Sequence, residues 1–187
     1  AFGLGYAQIG LMIGLFMAPG MFLALPAGYA GRFANDRLLC GLGLAVLAAG
    51  ALVTALATGP GQIAAGRLAA GAGGVLSMLY FTKMAADWFD GREMATAMSI
   101  LVMSWPLGIA MGQVGHTWLA ASFGWQVPFL AAAGYCAVAA LGIFTLYRSP
   151  GTGPRRAPAG RTWLLPHEWA LVACAGVAWG AFNAGYI

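Results

Sequence analysis

Charge is scarce in this chain. Of 187 residues, nine are Lys or Arg and five are Asp or Glu, together 7%, where an average soluble domain carries roughly 25%. With 61% hydrophobic residues and a mean hydropathy of +0.80, too little polar surface remains to cover a water-facing globule. Ligating and nucleophilic groups are as sparse. Two histidines without an HExxH pattern give no metal-hydrolase cluster, and Ser77 and Ser104 lack the Gly-x-Ser-x-Gly context of a serine hydrolase. Cys40, Cys136 and Cys174 stand far apart on apolar stretches without CxxC spacing, and read as small buried hydrophobes. No Gly-x-x-x-x-Gly-Lys-Ser/Thr loop occurs, which excludes a nucleotide-driven pump in this segment. No enzyme activity, metal or bound cofactor is expected.

What fills the chain is apolar sequence in long runs. A hydrocarbon core about 30 Å thick requires about 20 mostly apolar residues per crossing helix. Such runs fall at 8–30, 38–58, 62–82, 95–119, 127–147 and 169–187. Alternating ten-residue segments, the mark of a membrane β-barrel, are absent. The 29 glycines suit helices whose backbones approach closely. The fold class is an all-α integral membrane protein with six spans.

The basic residues report orientation. Arg32 and Arg37 follow the first run, Lys83 and Arg92 the third, and Arg148, Arg155, Arg156 and Arg161 the fifth. Alternate loops share a side, so these eight lie together, while "TGPG" at 58–61 and "AASFGWQ" at 120–126 carry no charge. By the positive-inside rule the basic side is cytoplasmic. Bases spread between spans are not a nucleic-acid footprint. The ninth, Arg67, sits inside a span.

The same parity starts the chain on the outer side at Ala1 without a Met, and ends it at Ile187 while still apolar. The expectation is a fragment cut at both ends. The segment 148–168, rich in Pro, Gly and Arg, is expected to be a cytoplasmic linker, with Trp163 and Trp169 at headgroup depth. Asp90 followed three residues on by Glu93 forms a capping-box pattern for the fourth run, with Trp88 and Phe89 as interfacial anchors before it.

Several motifs together resemble the major facilitator superfamily of secondary transporters. Arg67-x-x-x-Gly71-x-Gly73 is similar to that family's fourth-helix pattern. Gly124-Trp125-Gln126-x-x-Phe129 resembles the Gly-Trp-Arg-x-x-Phe start of its sixth helix, with Gln126 in place of Arg. "PAGYAGRFANDR" at 26–37 resembles the loop between helices two and three, and "LPAG" and "SWPLGIA" resemble the cyanate-transporter-like bacterial branch. The resemblance implies helices two to seven of twelve. Residues 1–147 would be an N-terminal half lacking its first helix, 148–168 the linker, and 169–187 the truncated first helix of the second half. It implies gating and packing roles for Gly28, Arg32, Arg37, Gly71, Gly73 and Pro106. Departures accompany it. In the loop, Gly28 matches, but Arg32 or Gly31 fills the family's Asp position, so the implied charge relay lacks its acid there. Trp105 replaces the glycine before Pro106 and Gly108 comes one residue early, so antiport is not assigned.

An arginine inside a span costs at least about 2.5–3.5 kcal/mol and normally faces a water-filled cavity or a partner. Arg67 is therefore expected to face the pore. No Asp or Glu lies inside any of the six runs, which leaves a substrate anion, or an acid outside this chain, as its counterpart. Guanidinium binds planar anions bidentately, so an anionic substrate is expected. The structural alternative is an arginine paired only for stability, or one snorkelling to the outer headgroups. Trp105, Gly108, Gly112 and His116 share a helical stripe with Gln113 beside it, and Trp179, Asn183 and Tyr186 share another. Trp105, Asn183 and Gln113 join Arg67 as candidate substrate contacts, with helix packing as the competing reading. The expected function is secondary transport of a small anion by alternating access, with a small-molecule substrate, a coupling ion left unnamed, and the bilayer as partners. The alternatives are a self-contained six-helix protein that dimerises and, further off, an intramembrane hydrolase.

Overall fold

The computed structural model describes residues 5–148 except Asp90, and only the backbone of Arg92 and Trp105. Five α-helices account for nearly all of it: α1 (Tyr6–Ala30), α2 (Asp36–Ala55), α3 (Pro60–Trp88), α4 (Gly91–Phe123) and α5 (Val127–Leu146). All five are long and apolar enough to cross a membrane, and no strand occurs among the described residues. The sequence expectation of five spans in this region holds. The sixth span, the linker beyond Arg148 and the Asp90 cap lie outside the described residues.

Boundaries differ where polar residues can prolong a helix beyond the hydrocarbon. Helix α3 runs six residues past the expected end at 82, and α4 begins four residues before 95 and continues to Phe123. A helix can leave the bilayer without losing its internal hydrogen bonds, so an apolar run marks the membrane and not the helix end. Pro60 occupies the first turn of α3, where its missing N–H costs nothing. The preceding turn is closed by the Gln62 side chain, whose Oε1 accepts from the Thr58 N–H at 2.7 Å and the Thr58 hydroxyl at 3.1 Å. Gly124, with φ 101°, makes the reversal between α4 and α5, a left-handed conformation that a side chain disfavours.

Helix α2 is the packing centre. It lies against α3 and α5, α1 lies against α3, and α4 touches α3 and α5 only sparingly. The α2–α3 seam is built from small residues: the Cβ positions of Gly43, Gly50, Gly66 and Gly73 all run into the facing backbone, so the two helix axes come close and dispersion contacts replace a hydrophobic driving force that lipid does not supply. The main core joins Leu39, Cys40 and Leu44 of α2 to Tyr80, Phe81 and Met84 of α3, with Ala139 and Ile143 of α5. Cys40 and Cys136 are both buried in apolar surroundings, as their sequence contexts imply.

Candidate functional site

The arginine-glycine motif of α3 is a junction between two helices. Arg67 and Gly71, one turn apart, share a face. A Cβ on Gly71 would run into the carbonyl of Phe16 in α1, whereas one on Gly73 would run into Gly43 and Leu47 of α2. The glycines that were expected to admit a neighbour admit two, one on each side.

Arg67 is 6% exposed. Its guanidinium carbon lies 5.3 Å from the ring centre of Phe16 in α1 and 5.9 Å from that of Phe129 in α5. Cation–π contacts of this kind contribute about 0.5–2 kcal/mol each, more when desolvated, which offsets part of the cost of the charge in a span. Phe16 is 3% exposed and is the only buried residue on α1 among those described. It belongs to a small core cluster with Leu47, Ala70 and Cys136. The arginine is thus held by three helices at a site about 10 Å into α3 from its N-terminal end, at 1.5 Å per residue.

The other candidates do not converge on it to the same degree. Gly108 and Gly112 of the α4 stripe turn inward and His116 is half-buried, while Gln113 is exposed. Trp105 lies on α4 one turn before these, and Pro106 stands beside it on the wall of an open groove of about 470 Å³ with Met98, Ser99, Val102 and Met103. Asn183 lies outside the described residues. Gly28 is exposed, its Cβ position 3.9 Å from Leu79. Arg32, just past the end of α1, and Arg37, in the first turn of α2, are exposed.

Two features escape the sequence reading. Phe16 is one of many apolar residues on a helix that is apolar all round, so nothing in its spacing marks it as the partner of Arg67. The second is a tie at the C-terminal end of α3. The Lys83 ammonium pairs with Asp36 at the start of α2 and with Asp87 at 3.4 Å. The Tyr80 hydroxyl donates to the Ala27 carbonyl of α1 at 2.7 Å, and the Trp88 indole donates to the Arg148 carbonyl past α5 at 3.1 Å. Asp36 does not align with the acid of the resembling loop, yet it supplies an ion pair to α3 from that loop's end.

Long apolar helices meeting along glycine seams, with charge confined to the ends except for one enclosed arginine, define a multi-pass α-helical membrane protein. The sequence profile of the Major Facilitator Superfamily matches residues 1–187, and the chain belongs to that superfamily of small-solute transporters. No curated protein and no solved structure gives a significant match.

Proposed function

We propose that the protein is a secondary transporter of a small anion, working by alternating access in a bacterial inner membrane, with Arg67 as the principal substrate contact. The observation that carries this reading is the enclosure of Arg67 within a membrane-spanning helix, beside Phe16 and Phe129. A desolvated guanidinium binds a carboxylate or similar planar anion through paired N–H donors, and binds it more strongly than it would in water. The resemblance of "LPAG" and "SWPLGIA" to the cyanate-transporter-like branch agrees with a small anion. In this reading the chain is most of the N-terminal half, the linker and the start of the second half. Substrate would bind where the two halves face each other near the midplane. Trp105 and Asn183 are secondary contacts, and an ion gradient supplies the drive.

The test is uptake by the full-length protein carrying Arg67→Ala or Arg67→Lys, at matched membrane levels. Loss of uptake in the alanine variant, with partial retention in the lysine variant through charge alone, is the expected outcome. Full uptake in Arg67→Ala would remove Arg67 from the substrate site.

A further inference from the structure

The loop between α1 and α2 leaves two positive charges unanswered. Arg32 and Arg37 form no ion pair among the described residues, because Asp36, the one acid in the loop, is engaged by Lys83. Each arginine instead lies over an exposed ring: Arg32 is 5.3 Å from the centre of Tyr29, and Arg37 is 5.8 Å from that of Phe144 at the same end of α5. Tyr29 in turn meets Phe33 edge-on at 5.3 Å, and Phe33 is 77% exposed. Below this cluster α1 exposes Phe22 and Leu25, the latter by 87%. Positions 22, 25 and 29 recur at three and four residues and so form one stripe along the helix.

We propose that this face binds an anionic phospholipid, its phosphodiester at Arg32 and one acyl chain along Phe22, Leu25 and Tyr29, with Arg37, turned toward α5, adding positive charge to the same rim. The arrangement matches that ligand part by part. Aromatic rings favour headgroup depth, the apolar stripe continues into the hydrocarbon, and guanidinium is the group suited to phosphate. The cytoplasmic leaflet, where the basic loops place this rim, is also where anionic lipids attract Lys and Arg. A soluble phosphate would use the arginines but not the stripe.

The full-length protein, purified in detergent and offered equal phosphatidylglycerol and phosphatidylcholine of the same acyl chains, should retain the anionic lipid with a preference of about fivefold per arginine. Arg32→Gln with Arg37→Gln should abolish that preference, and Arg32→Lys should keep most of it. Should the double variant fail to fold, phosphatidylglycerol with a photoreactive acyl chain and the unaltered protein give the same answer. Label on α1 at Phe22, Leu25 or Tyr29 supports the site, and label confined to other helices overturns it. Equal retention of the two lipids by the unaltered protein would overturn it as well, as would displacement of phosphatidylglycerol by millimolar inorganic phosphate from a protein that shows no label on α1.

Discussion

A methyl group at Gly71 has nowhere to go, because the atoms it would meet are the Phe16 carbonyl and its neighbours in the α1 backbone, which cannot rotate aside. Gly71→Ala should therefore push α1 off α3, at a cost of about 1–3 kcal/mol, read as a lowered unfolding midpoint in detergent. Gly28→Ala makes the contrast. Its Cβ position has only Leu79 near it, at 3.9 Å, and the change should stay within about 0.5 kcal/mol. An equal loss in both variants would show that helix flexibility, and not the α1–α3 contact, governs stability. Toward the C-terminal end of α3, Tyr80→Phe removes the bond to the Ala27 carbonyl and should cost about 1 kcal/mol by the same measurement.

Helices were legible in the sequence because lipid imposes one length requirement on each crossing, and the five described spans meet it. Helix neighbours were not legible. An amphipathic soluble helix announces its buried face, but α1 is apolar on every side and buries Phe16 alone, so no periodicity points to Arg67. The arginine was conspicuous as a lone charge in an apolar run, while its aromatic flank required the packing of three helices. The tie from Lys83 to Asp36 was hidden for a different reason: 47 residues separate the two, and each read as an ordinary loop or helix-end charge. That tie joins α2 to α3 with Asp36 largely sheltered and Lys83 half in solvent. A double-mutant cycle of Lys83→Gln and Asp36→Asn should return a coupling of about 0.2–1 kcal/mol that shrinks as salt rises. A coupling unchanged in high salt would mean that the pair is enclosed more fully than its exposure indicates.

Cys40 and Cys136 are buried and should resist a membrane-impermeant thiol reagent. A cysteine replacing Thr58 should then react from outside, and one replacing Phe33 only after the membrane is opened. The reverse pattern would invert the topology drawn from the basic loops. The most direct test of the central claim is ligand stabilisation of the purified full-length protein by a panel of small anions, neutral solutes and cations. A ligand present at 100 times its Kd stabilises by about 2.7 kcal/mol, enough to shift an unfolding midpoint clearly. At least one small carboxylate or planar inorganic anion should stabilise the protein, and Arg67→Ala, folded and otherwise intact, should lose the shift. Stabilisation by a neutral or cationic solute alone, equal in the unaltered protein and in Arg67→Ala, would contradict it.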